Sequence, residues 1–171
     1  MARLWSPGAL PPRPGKGPDP EMVFIDWAEG VIAEWVNREK QTGLSPSEAA
    51  NGFLKRESYR LICHYIEGGA ARLFERVIRD NGKALSSVVR LADNPFHYGL
   101  SAMFARSDLL SSADRSVYAS QMVYAYRHGV PPNLLVGFLY QCGSFSGVRR
   151  KLKDGVIEAG FEEQFRAKFP I

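Results

Sequence analysis

The sequence predicts an all-α fold: a compact bundle of seven to nine short helices behind an extended Pro/Gly-rich N-terminal arm. Three observations carry this. Apolar residues recur at three- and four-residue spacing between Gly, Pro and Asn breaks, as the faces of amphipathic helices do. No stretch alternates apolar and polar residues between turn signals, so no strand is expected. Ser45-Pro46-Ser47-Glu48 has the form of a capping box with proline at the first helical position.

Residues 1–19 read as the arm and 20–171 as one helical domain. Residues 1–20 hold six prolines and three of the 16 glycines. Proline removes backbone donors and fixes φ, so no regular helix runs there. The stretch has no apolar core of the kind a secretory signal needs. It reads as a flexible basic leader, or as an arm laying Leu4, Trp5 and Leu10 on a partner.

Asp19-Pro20 then opens a first helix, with an N-cap acid and a proline at the first position. Phe24, Trp27, Ala28, Val31, Ile32 and Trp35 give it a broad apolar face, and Gly43 is expected to end it. The second helix follows the capping box on Ala49, Ala50, Phe53 and Leu54. It continues through Leu61, Ile62, Tyr65 and Ile66 to the stop at Gly68-Gly69. Leu73, Phe74, Val77 and Ile78 make a short helix closed by Asn81-Gly82. Leu85, Val88, Val89 and Ala92 predict another, stopped by Asp93-Asn94-Pro95. Phe96 to Phe104 is a weaker helical stretch. Ser112 to His128 is helical on Val117, Tyr118, Met122, Val123 and Tyr126, with Gly129 at its C-terminal end. Pro131-Pro132 opens Leu134–Tyr140, apolar on nearly all sides and therefore expected to be buried. Gly143 breaks it, Ser146–Lys153 is short and basic, and Phe161, Phe165 and Phe169 predict a last helix over 156–169.

With 45% apolar and 23% charged residues, the 171-residue chain has the proportions of a folded globular domain. Intrinsic disorder of the whole chain is excluded. No apolar run approaches the roughly 20 residues of a membrane span, so no membrane partner is expected. Two cysteines, Cys63 and Cys142, are too few for a disulfide framework. They read as buried thiols in a reducing, cytoplasmic setting.

The net charge is +4, unevenly placed. In residues 127–155, Arg127, Arg149, Arg150, Lys151 and Lys153 face only Asp154, whereas residues 21–126 are close to neutral. A concentrated basic element is what phosphate binding needs. Its setting, a helix to His128, a second to Tyr140, a glycine break and a short basic helix, has the outline of a helix-turn-helix. On a helix Arg149 and Lys153 share a face and Arg150 flanks it, while Val148 and Leu152 point inward. The expected nucleic-acid contacts are therefore Ser146, Arg149, Arg150 and Lys153. A merely solvated cationic helix fits the same residues. The other function class is a protein-binding adaptor or inhibitor, using Trp5 of the arm with Trp27 and Trp35 of an acidic first helix that carries Glu21, Asp26, Glu29 and Glu34.

Catalytic signatures are missing. His64, His97 and His128 form no His-x-x-x-His pair, and Cys63 and His64 are adjacent and so diverge on a helix. There is no phosphate-cradling glycine loop and no nucleophile elbow. No metal, no cofactor and no enzymatic activity is expected. His128, before Gly129, reads as a cation at a helix C-terminus. Arg72, Arg76 and Arg79 beside Glu75 read as a solvated, ion-paired face.

Overall fold

In a computed structural model the described residues are 5–15 and 19–171. Leu4 of the expected arm lies outside them. The described chain is all-helical, with seven α-helices and no strand. They are α1 (Pro20–Arg38), α2 (Ala50–Glu67), α3 (Leu73–Asp80), α4 (Pro95–Met103), α5 (Ser112–Arg127), α6 (Leu135–Cys142) and α7 (Phe145–Lys153), with a 3-10 turn, Pro132–Leu134, before α6.

Local chemistry explains most boundaries. The Asp19 carboxylate accepts the Glu21 N–H and Pro20 fixes the first turn of α1. Asn94 and Pro95 do the same for α4, and the Ser111 hydroxyl caps α5 on the Asp114 N–H. Gly69 (φ 70°), Gly82 (φ 73°) and Gly129 (φ 66°) follow α2, α3 and α5 in the left-handed conformation that ends a helix.

Five expectations fail. The capping box is not made: residues 45–49 form a turn, and α2 starts after Ala49 with no side-chain cap. Glu48 instead meets Arg38 and Arg56, each at 2.7 Å, which removes the acid the box would use. Correspondingly α1 stops at Arg38 rather than at Gly43. Residues 85–92 are not helical. The Ser86 hydroxyl accepts the N–H groups of Val88 and Val89, an alternative to helical bonding, and Val88 is 88% exposed. Residues 156–169 form turns, not a helix, with Gly160 at φ 88° inside them. Finally, α6 is buried on one face only: Leu135, Phe138, Leu139 and Cys142 point inward, while Tyr140 is 83% exposed.

One hydrophobic cluster joins all seven helices. Its centre is α2, which packs against α1, α4 and α6. Gly99 of α4 permits the α2–α4 approach, because a Cβ there would fall 2.6 Å from Ile62. Stacked Tyr59 and Phe96 continue that seam, and the Tyr59 hydroxyl donates to the Val130 carbonyl at 2.7 Å.

The described part of the arm lies on the chain's own surface. Gly8 N–H donates to Glu57 of α2, and the Trp27 indole donates to the Ala9 carbonyl. Trp5 is half-buried over Gly30, edge-on to Phe53. A Cβ at position 30 would stand 2.8 Å from the Trp5 ring, so Gly30 is the seat of the indole. Gly30→Ala is therefore expected to displace Trp5 while changing global stability by no more than about 1 kcal/mol, since alanine is also the better helix former. Fluorine NMR of fluorotryptophan-labelled protein checks this: of the three resonances, the one that Trp5→Ala removes should move to a solvent-exposed position in Gly30→Ala, and three unchanged resonances would refute the docking.

Candidate nucleic-acid interface

The basic helix is aimed by the joint that precedes it. Gly143 adopts φ 101° and ψ −157°, a conformation that side-chain-bearing residues rarely reach. It separates α6 from α7 with only Ser144 between, and the Ser144 hydroxyl caps α7 by accepting the Gly147 N–H at 3.2 Å. Val148 is fully buried and Leu152 half-buried, which fixes the inner face of α7 against α5. Ser146, Arg149, Arg150 and Lys153 are all exposed on the remaining arc. The predicted inward and outward faces are those observed.

The fourth cation leaves that surface. Lys151 Nζ donates to the Glu158 carboxylate at 2.7 Å and to the Cys142 carbonyl at 3.2 Å. Most other arginines are also neutralised: Arg76 pairs with Glu21, Arg106 with Glu29, Arg38 with Glu34 and Glu48, and Arg90 with Asp93. Arg72 and Arg79 both approach Glu75, so the second basic row is the ion-paired surface its sequence suggested. By contrast, Arg149, Arg150 and Lys153 form no ion pair among the described residues. A basic last turn also suits the dipole of α7 itself.

Behind α7 lies a contact set that sequence reasoning missed. Glu158, in the irregular C-terminal segment, accepts from Lys151 and from the Tyr124 hydroxyl at 2.6 Å. Those two donors hold its carboxyl below the ordinary value of 4.5. Desolvation, and then the hydrogen bond to Glu158, raise the Tyr124 phenol above its ordinary value. Burial, with the nearby Glu158 charge, pushes the Cys142 thiol up to about 11. His128 is 0% exposed. Its Nδ1–H donates to the Tyr124 carbonyl at 2.7 Å, and its Nε2 accepts the Glu158 N–H at 3.0 Å. Because one ring nitrogen accepts, the imidazole here is neutral. That corrects the expectation of a cation at the C-terminus of α5. The ring packs between Tyr124, Phe138, Phe161 and Phe165. Two of the three phenylalanines that spelled a helix in sequence, Phe161 and Phe165, thus close over a histidine, while Phe169 packs on Phe96 and Tyr126. Only their aromatic spacing hinted at burial, and nothing in the sequence hinted at the partner.

The tryptophan set is corrected too. Trp27 and Trp35 are each 5% exposed, built into the core rather than offered to a partner. Trp35 stands edge-on to Phe104 and donates to Asn51. Indoles bury large apolar areas while keeping one donor to satisfy, and both find an acceptor inside the chain. Trp5 spends its ring on Gly30 and Phe53 as described above. The acids beside them serve ion pairs, with Asp26 left exposed.

Among the described residues no three His, Cys, Asp or Glu side chains are grouped as a metal ion requires. No described helix is long and apolar enough to cross a membrane. No known protein family, curated protein or solved structure matches this chain.

Two outcomes follow for this region. Glu158→Gln is expected to cost about 1 kcal/mol at neutral pH, the scale of a charge-assisted bond at a partly exposed site. A carboxyl with a depressed folded pKa stabilises above its unfolded value and loses that contribution as pH falls through the folded one. The gap between parent and variant in denaturant titrations should therefore be full above 4.5 and vanish in stronger acid; a pH-independent gap would contradict the pairing. For the thiols, a rise from 9.0 to about 11 at Cys142 cuts the thiolate fraction near pH 8 by about a hundredfold. Burial raises Cys63 well above its ordinary value as well. Both should react slowly with a disulfide reagent until denaturant is added, and a fast native phase would count against the packing.

Proposed function

We propose that this chain is a non-enzymatic binding protein that contacts the phosphate backbone of nucleic acid through α7, with Arg149, Arg150 and Lys153 as phosphate contacts and Ser146 beside them near the helix N-terminus. The observation that carries the reading is the exposed cation cluster on α7, unpaired among the described residues of a chain that pairs most of its other arginines. Each phosphate contact of this kind releases condensed counterions, which drives association at low salt. The helix-turn-helix-like reading draws support from the order α5, α6, glycine joint and α7, and from the packing of α7 on α5. Two free, buried thiols are consistent with a cytoplasmic regulator. On this reading residues 20–171 act as one domain, and the arm is its strap rather than its binding surface.

A protein-binding adaptor is the second reading. Its tryptophan face is occupied internally, but an apolar groove of about 410 Å³ remains between α1 and α4, lined by Ile32, Ala33, Val36 and Leu109 with Glu29 and Arg106 at its edge.

The test is Arg149→Ala with Arg150→Ala. Stability should change by less than about 0.5 kcal/mol, because both side chains are exposed. Affinity for duplex or single-stranded oligonucleotides should fall, and the slope of log K against log salt should flatten by roughly two, near one counterion per lost contact. Fluorescence anisotropy across a salt series measures both. Should the parent bind neither DNA nor RNA at low salt, or the double variant bind as the parent does, the adaptor reading takes over.

A further inference from the structure

A cavity of about 420 Å³ opens between α2, α5 and α6, within the size range of small-molecule sites. Its walls include Lys55, Gln121, Val136, Leu139, Tyr140 and Gly143. Two of these residues are unusual. Gln121 is 8% exposed, yet its carboxamide has no hydrogen-bond partner among the described residues. The amide oxygen is sealed from solvent, so the amide nitrogen is the half a guest can reach. Buried polar groups are nearly always paired; the sealed oxygen takes no guest, whereas the amide nitrogen, a donor with no partner among the described residues, is free to meet an acceptor in the cavity.

Lys55 is the second. Its stem is half-buried and its Nζ lies 4.6 Å from the centre of the Tyr118 ring. Burial lowers its pKa, and Asp114 offsets this only in part. No carboxylate among the described residues comes within ion-pair distance. The cation is thus partly stripped of water without a counter-ion, a state that an anionic guest relieves. Both of these polar groups donate. The remaining wall is apolar (Val136 and Leu139), with the exposed Tyr140 ring at the rim.

We propose that this cavity binds a small organic carboxylate with an apolar body, the Lys55 ammonium and the Gln121 amide holding the carboxylate while Val136, Leu139 and Tyr140 cover the body. A charge-assisted pair of donors supplies orientation, and the apolar wall excludes inorganic anions as good guests. The site is independent of the nucleic-acid reading: it uses none of Ser146, Arg149, Arg150 or Lys153.

The experiment is an NMR titration of the full-length labelled chain with sodium benzoate, without nucleic acid, beside a charge-reversed control of benzylammonium chloride at equal ionic strength. Benzoate should give saturable shifts at the backbone amides of Gly143 and of Gly52, which also lines the cavity, and at the Gln121 side-chain amide, and benzylammonium should leave them in place. Lys55→Met keeps the stem and removes the charge, and should weaken benzoate binding about tenfold or more with an unchanged circular dichroism spectrum. Gln121→Met should weaken it in the same direction. The absence of saturable shifts in the parent, equal shifts with benzylammonium, or parent-like affinity in folded Lys55→Met would each overturn the proposal. If Lys55→Met does not fold, the comparison of the two probes on the parent decides alone.

Discussion

Glu57 is a carboxylate 3% exposed in the middle of the central helix, and much of the molecule is arranged to keep it satisfied. Arg56 and Arg60 reach it from its own helix, and the arm gives it the Gly8 N–H. Those arginines are shared outward. Arg56 binds the Ser47 carbonyl and hydroxyl and the Glu48 carboxylate, Glu48 binds Arg38 of α1, and Arg60 binds Asn133 beside α6. A charge buried this deeply is tolerable only with complete hydrogen bonding, and removing one partner of such a set typically costs about 3–5 kcal/mol. The network therefore does more than add stability. It fixes the order in which arm, first helix, turn and second helix meet, which a purely apolar contact would leave freer.

Helix punctuation was legible because it is local. Asp19-Pro20, Asn94-Pro95, Gly68-Gly69 and Asn81-Gly82 act on their own backbone, so their meaning does not depend on the rest of the fold. Two of the failures share one cause, a side chain claimed by something distant in sequence. Glu48 has the form of a capping acid until Arg38 and Arg56 arrive. Phe161, Phe165 and Phe169 carry a helical period, yet the first two cover a histidine some thirty residues earlier and the third packs on Phe96 and Tyr126. Ser86 is the exception: its turn is local, but a hydroxyl that bonds backward or forward leaves no pattern in apolar spacing.

The candidate interface was readable for a similar reason. Which residues of α7 point out follows from Val148 and Leu152 alone, so Arg149, Arg150 and Lys153 could be placed on one arc from sequence. Periodicity could also put Trp27 and Trp35 on one covered face. It could not say what covers them, and the answer is the chain's own core. The cavity between α2, α5 and α6 had no sequence signature at all, since Lys55, Gln121 and Val136 are brought together only by packing.

The last sixteen residues have no helix or strand, and side chains and backbone hold them to the fold: Glu158 on Lys151, Tyr124 and His128, Arg166 on Arg127 and Glu67, Phe161 and Phe165 around His128, and Phe169 on Phe96 and Tyr126. Glu158 is also what withdraws Lys151 from the cationic surface. The tail thus sets how many positive charges α7 displays. A chain shortened ahead of Glu158 would present four cations in place of three and would open the aromatic enclosure of His128 to water, so loss of a structureless terminus would alter both the electrostatic footprint and the core of this protein.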